Sequence, residues 1–414
     1  MVKTAGGTGS WGFLGGLTAL VMLPPIACND DNTGPSTETE TQVDTEEVAV
    51  TISDLLAGTG PTVITALEGF QDEVSLLQES LDAWESELNS GKKGKEQFQL
   101  LADTQNQWAN TMAAWQVLEI MQLGPSGSSL TAIAGEDLRD EIYSWPTINP
   151  CLIDQETVNS DWDSDSYFTE NLVNAYGMDA LEHLLFADSD NTCPGQVDIN
   201  ADGTWDALGD SGVWSNRASF ASALTAKIAS QTDDLIVRWS ESGDNFSGQL
   251  ALATDSPYAS EQEALNAVYD ALFYLETVTK DRKLAVPLGY HPDCGEDLCA
   301  DEVENLASGV GAESIAANLA GFELLFTGGD GIGFDDLLVD LGHGDLAEQI
   351  VADLQTAHSL AIAIDVPLDE KVAEDTAEVE ELYAAVKSVT DELKGDLATI
   401  LALTIPSEAA GDND

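Results

Sequence analysis

VITALEGFQDEVSLLQESLDAWESEL (residues 63–88) decides the fold. Its apolar residues Val63, Leu67, Phe70, Val74, Leu77, Leu81, Trp84 and Leu88 alternate steps of four and three. That spacing lays a continuous apolar stripe along one face of a helix. Pro61 and the Asn89-Ser90-Gly91 break mark its expected ends. A second helix is read through Phe98, Leu101, Trp108, Met112 and Trp115, stopping before Gly124-Pro125. In the later half Ile315, Leu319, Phe322 and Phe326 repeat the pattern, as do Val379, Leu382, Val386, Val389 and Leu393. No strand-like alternation competes, so the expected fold is all-α, built from packed up-and-down helices.

Residues 126–167 and 187–215 are richer in Gly, Ser, Asp and Asn and read as long connections with short helical pieces. In each half a long helix precedes an aromatic-rich helix carrying a glutamate, Glu119 or Glu276, and then a Gly-containing break. This points to two helical-bundle halves related by apparent duplication, 51–210 and 211–406, with a short tail at 407–414.

The chain of 414 residues is long enough for two ordinary domains, and 43% hydrophobic residues suffice for a substantial core. Its 75 acidic residues face only 14 basic ones, a formal charge of −61. That excludes a nucleic-acid binder, which needs a basic footprint, and disfavours direct adsorption to anionic lipid. An acidic surface suits salty surroundings or recruits cations; charge alone does not separate the two. At the N-terminus Lys3 is the only charge before Cys28, and WGFLGGLTALVML (11–23) is an apolar run of export-signal length. Ala27-Cys28 ends it as a lipoprotein signal would (1–28), with Cys28 acylated; because Pro25 stands where leucine is usual, a plain secretory signal is the alternative. Residues 29–50 read as a flexible acidic linker. Four cysteines then remain in an exported chain, where disulfides are the default. Cys294 and Cys299 are close enough to close a local loop, which leaves Cys151 to pair with Cys193. A zinc site from His291, Cys294 and Cys299 is the competing reading, with three ligands only.

The candidate site lies in AYGMDALEHLLF (175–186). Phe168, Leu172, Ala175 and Phe186 form a helical stripe whose continuation lands on Asp179 and Glu182. Acids on a core-facing line are costly unless paired, hydrogen-bonded or holding a cation. Glu119 is the next inward position after Trp115 on its own helix. Three carboxylates converging from two helices would make a metal site whose oxygen ligands suit hard ions or iron. The plainer alternative is buried acids satisfied by Arg282, Lys283 or backbone donors. His183 either adds a nitrogen ligand or packs against a neighbouring helix. Separately, DINADGTWD (198–206) places Asp198, Asn200, Asp202 and Asp206 at positions one, three, five and nine of an EF-hand-type calcium loop, with Gly203 at six. Position twelve is Gly209 instead of glutamate, and an ordinary Asp/Asn/Gly turn is the alternative.

Four blocks carry a resemblance. The stretch 175–186 resembles the G-x-H-x-x-E segment of the imelysin family, with Gly177 and Glu182 matching and Asp179 in place of histidine. WANTMAAWQVLEIMQLGP (108–125) resembles its W-x6-W-x3-E-x4-G-P helix, and KDRKLAVPLG (280–289) its D-R-K-L-x-x-P-L-G segment. ENLASGVGAESIAANLAGF (304–322) is similar to E-S-x-x-S-G…I-x-A-N-L-x-G-F. The resemblance implies two helical halves and an inter-half pocket lined by Glu119, Asp179, Glu182, Arg282, Lys283, Glu304 and Ser308. It also implies iron or other metal uptake at the cell surface, with a membrane uptake partner. The expectation is therefore an exported, lipid-anchored protein, facing the periplasm or cell surface, that binds a metal ion or small ligand. The alternative is a metal-dependent peptidase, as the family name has it. The chain has no H-E-x-x-H and four histidines in all, and Asp179 makes the pocket richer in oxygen and poorer in nitrogen than a zinc hydrolase site.

Overall fold

The computed structural model describes residues 49–410, apart from 92, 93, 165, 296 and 408. The export signal, Cys28 and most of the acidic linker lie outside the described residues, as does the end of the tail. Among the described residues the secondary structure is helical throughout.

Helix α1 (Ile52–Asn89) carries the predicted stripe: Val63, Leu67, Phe70, Val74, Leu77, Leu81 and Trp84 are all buried. It begins nine residues ahead of Pro61, because Thr51 and Asp54 close a capping box at its N-terminus. The proline then removes one internal hydrogen bond without ending the helix. Helix α2 (Lys95–Glu119) packs beside α1 and buries Trp108, Met112, Trp115 and Glu119, while Phe98 at its start is left 76% exposed.

Next come α3 (Pro150–Asn159), α4 (Tyr167–Glu170) and α5 (Met178–Phe186). The single stripe expected from Phe168 to Phe186 is interrupted here. Gly177 adopts φ 105°, outside helical space, and Leu172 is 74% exposed. Asp179 and Glu182 are nonetheless buried, because α5 itself is enclosed on nearly every side.

After α6 (Asp198–Ala201), α7 (Thr204–Trp239) breaks at Gly209 and then packs along α1. Helix α8 (Phe246–Leu252) crosses α1, and α9 (Glu261–Leu272) leads into a π-helix, Leu275–Ala285. The later helices are α10 (Gly311–Thr327), α11 (Phe334–Asp340), α12 (Gly344–Ala363), α13 (Leu368–Glu374) and α14 (Ala377–Glu392). The predicted stripes on α10 and α14 are buried as read. Helix α10 packs on both α12 and α2, so the later helices close directly over the C-terminal part of α2. The main hydrophobic core draws on residues between 55 and 409, and Ile199, Trp205 and Val213 form a small second cluster.

Both expected disulfides are present, Cys151–Cys193 and Cys294–Cys299. Their sulfurs are therefore committed to each other, and the competing zinc reading at His291, Cys294 and Cys299 falls.

Candidate functional site

Where α2, the π-helix and α10 meet, a fully buried polar cluster replaces apolar packing. Lys283 is 0% exposed, and its Nζ lies 2.6 Å from Gln116 Oε1, 2.8 Å from Asn318 Oδ1, 2.9 Å from Glu304 Oε2 and 3.3 Å from Glu119 Oε2. Glu119 is also held by Arg139 Nη2 at 2.8 Å and by the Tyr274 hydroxyl, which donates to it at 2.5 Å. Glu304 accepts from Tyr143 at 2.8 Å and from Gln116 Nε2 at 3.0 Å. Two cations thus face two carboxylates, and the neutral donors Tyr143, Gln116 and Tyr274 supply further hydrogen bonds, as a buried ion cluster requires. Burial alone would raise Glu119, but Lys283 and then Arg139 outweigh it and hold its carboxyl below the ordinary value. Glu304 goes the other way: burial dominates and raises it despite Lys283.

The winding of the π-helix sends its three cations in different directions. Tyr274 and Lys283 both reach Glu119. Lys280, 1% exposed, pairs with Asp281 at 2.7 Å and with Glu276 at 3.6 Å. Arg282, expected at the acid pocket, turns outward: it is 45% exposed, meets Asp293 at 3.8 Å and lines a separate cleft. Long π-helical runs are rare and concentrate at functional sites.

Beside this cluster lies the acidic step of α5. A side chain at Gly177 would place its Cβ 2.8 Å from the Ile142 carbonyl, so glycine lets the chain pass close to the 142–144 segment. Met178 N–H then bonds Ile142 O at 2.8 Å, and Trp108 Nε1 bonds Met178 O at 3.0 Å, which pins the helix start against α2. Asp179 accepts from the Ser144 hydroxyl at 3.1 Å and from Ala180 N–H at 3.0 Å. Glu182 accepts from Ser308 twice, N–H at 2.9 Å and Oγ at 2.7 Å, and from Asn305 Nδ2 at 3.5 Å. These are neutral donors. Burial therefore prevails: Asp179 is pushed up to about 7 and Glu182 is raised as well, with Asp179 feeling the charge of Glu182 and Glu182 that of Glu304.

The segment from Glu304 to Ser308 joins the two groups. Glu304 faces Lys283, while Asn305 (φ 55°) and Ser308 face Glu182. Ser314 Oγ fixes Asn305 by bonding its Oδ1 at 2.7 Å.

The residues expected to form one site are thus distributed. Glu119, Lys283 and Glu304 come together; Asp179, Glu182 and Ser308 form the adjoining step. His183 faces away, because the residue after Glu182 is turned about 100° around the helix. Its Nε2 lies 2.9 Å from Asp154 Oδ1, and Asp154 also accepts from Thr192 N–H and Oγ1, both at 2.7 Å. Among the described residues no group of three or more His, Cys, Asp or Glu is arranged to hold a metal ion. The expected calcium loop is a helical turn, Asp198–Ala201, followed directly by α7. Asn200 there spends its amide on Asn191 Oδ1 (3.0 Å) and the Cys193 carbonyl (2.8 Å), and Asp198, Asp202 and Asp206 do not form a ligand group.

Sequence reasoning passed over Gln116, Asn318, Tyr143, Ser144, Arg139, Tyr274 and Asn305. Gln116 stands four residues after Met112 and Asn318 three after Ile315, so both lie beside the stripes read from the sequence. Arg139, Tyr143 and Ser144 come from an irregular connection without period.

Comparison with known proteins places the all-α fold in a family. The family model described as Peptidase_M75: Imelysin matches residues 69–395, and the chain belongs to the imelysin family. The crystal structure of an imelysin-like protein from Psychrobacter arcticum 273-4 has the same fold, with a TM-score of 0.60 and 16% identity, covering 86% of this chain and 98% of that one. At that identity the likeness speaks for the fold alone. Comparison with curated proteins gives no match.

Proposed function

We propose that the protein is an exported binding protein that takes up a cation at the Asp179–Glu182 step, serving iron or other metal uptake at the cell envelope. One observation carries this reading. Glu119 and Glu304 have Lys283 and Arg139 as counter-charges, whereas Asp179 and Glu182 are buried among neutral donors only. A buried carboxylate pair in that position holds either protons or a cation.

The donor atoms are all oxygens, two carboxylates with the hydroxyls of Ser144 and Ser308 beside them, which suits a hard cation or iron better than zinc. With fewer than three acidic or imidazole ligands in one group, the step fits a cation that keeps part of its water or arrives with a chelating small molecule. The peptidase alternative takes its support from the family description. It wants a metal position open to water and a nitrogen ligand or base, and His183 is engaged by Asp154 instead.

The test is thermal unfolding of chelator-treated protein with Mg2+, Ca2+, Mn2+ and Fe2+ added in turn. At least one ion should raise the melting temperature by mass action, and Asp179→Asn or Glu182→Gln should remove the shift. Asp202→Asn serves as the control for the 198–206 segment. Chelator-sensitive proteolysis lost in Glu182→Gln would establish the peptidase alternative instead. Anchoring through Cys28 is tested apart: Cys28→Ser should move the protein from the membrane to the soluble fraction, and unchanged partitioning would favour a plain secretory signal.

A further inference from the structure

The cavity of about 570 Å³ that receives Arg282 lies outside the acidic step; neither Asp179 nor Glu182 lines it. It opens between the 122–146 connection and the α9–π-helix segment, and its volume is that of an ordinary small-molecule site. Three aromatic residues, Trp145, Phe273 and Tyr274, are among those that line it. Two of the chain's 14 basic residues, Arg139 and Arg282, line it as well. Their states differ. Arg139 is spent on Glu119 and Asp140, whereas Arg282 is 45% exposed and meets Asp293 beyond hydrogen-bond distance, at 3.8 Å. Two N–H donors of wall residues, Gln122 Nε2 and Arg139 Nε, are buried without a hydrogen-bond partner among the described residues.

We propose that this cleft binds a small organic acid with a flat apolar body, its carboxylate meeting Arg282 and its body lying among Trp145, Phe273 and Tyr274. The guanidinium offers a planar pair of donors that matches a carboxylate, and the rings supply apolar area at little entropic cost. Glu263 and Asp270 on the same lining, and the acidic surface as a whole, oppose an anion. The ligand carboxylate must therefore outcompete Asp293 by making a hydrogen-bonded contact with Arg282, closer than the 3.8 Å of that pair.

The experiment uses 1-naphthoate as probe and the neutral 1-naphthamide as its uncharged counterpart, titrated calorimetrically into the folded protein. Naphthoate should bind saturably and more tightly than the amide. Arg282→Gln should weaken naphthoate by about tenfold and level the two ligands, as loss of one charge-assisted contact does. Ala267→Trp, which fills the cleft from α9, should abolish binding of both. Asp179→Asn should leave naphthoate binding unchanged, so this proposal and the cation site stand or fall separately. Circular dichroism confirms that each variant is folded. Equal affinity for acid and amide, naphthoate affinity unaffected by Arg282→Gln, or no saturable binding would each overturn the proposal.

Discussion

Ser308 donates both its backbone N–H and its hydroxyl to one oxygen of Glu182, at 2.9 and 2.7 Å. The two residues lie 126 positions apart, and the bond ties the motif helix to the segment that also carries Glu304. Through Glu304 that segment reaches Lys283, so the acidic step and the ion cluster share one support. Replacing Ser308 by alanine removes the hydroxyl's bonds to Glu182 and to the Asn305 carbonyl (3.2 Å) and leaves the N–H bond in place. It should lower stability by about 1–3 kcal/mol, since a charged acceptor loses a donor in a buried site, and urea unfolding measures it.

Lys283 is the keystone of the ion cluster. Lys283→Met leaves Glu119 and Glu304 buried with a single counter-charge between them, at Arg139. Breaking a buried ion group by removing one partner costs about 3–5 kcal/mol, so a large fall in melting temperature is expected. A change within the spread of surface substitutions would mean that the cluster is hydrated and its charges are weakly coupled.

Gly177 governs how α5 begins. Gly177→Ala forces a Cβ to 2.8 Å from the Ile142 carbonyl at φ 105°, where L side chains are strained. A loss of about 1–3 kcal/mol is expected in unfolding experiments. Because Asp179 stands two residues on, the variant should also lose cation-induced stabilisation.

Stability should depend on pH through Asp179. Its carboxyl is raised from 3.8 to about 7 by burial, so between those values the native state keeps a proton that the unfolded chain has lost. The native state then binds more protons, and stability falls as pH rises through this window, levelling above about 7. Glu182 and Glu304, raised as well, act in the same direction; Glu119 and Asp154, lowered, act oppositely at acid pH. Comparing the parent with Asp179→Asn cancels those contributions. Under chelator, the parent should lose more stability than the variant between about pH 5 and 8. Parallel profiles would place the Asp179 carboxyl at its ordinary value.

The Cys151–Cys193 bridge closes a 42-residue span and frames the Asp154–His183 pair. Replacing both cysteines by serine should cost about 3–4 kcal/mol on loop-closure grounds, and non-reducing peptide mapping should show the parent bond intact.

Much of the fold was legible because burial on long helices follows a period. The stripe from Val63 to Trp84 needed only spacing to read, and Glu119 fell on the inward line after Trp115. The motif helix was read too long, since a single glycine at positive φ resets the phase and no periodicity announces it. The expected burial of Asp179 and Glu182 holds despite that error, because α5 is enclosed on almost every face. Arg282 was misplaced for a related reason: α-helical spacing does not describe a π-helix, in which neighbouring cations part toward different partners. Arg139, Tyr143 and Ser144 were illegible, since an irregular connection has no face to extrapolate.

Proton release on cation binding tests the central claim most directly. With its pKa raised to about 7, the Asp179 carboxyl is protonated at about pH 6, and a cation bound through its carboxylate would displace that proton. Titrating the stabilising ion into chelator-free protein in two buffers of different ionisation enthalpy counts the protons. About one proton or more per bound cation is expected for the parent, with neither binding nor release in Asp179→Asn. Binding without proton release, or binding equal in parent and Asp179→Asn, would contradict a cation site at the Asp179–Glu182 step.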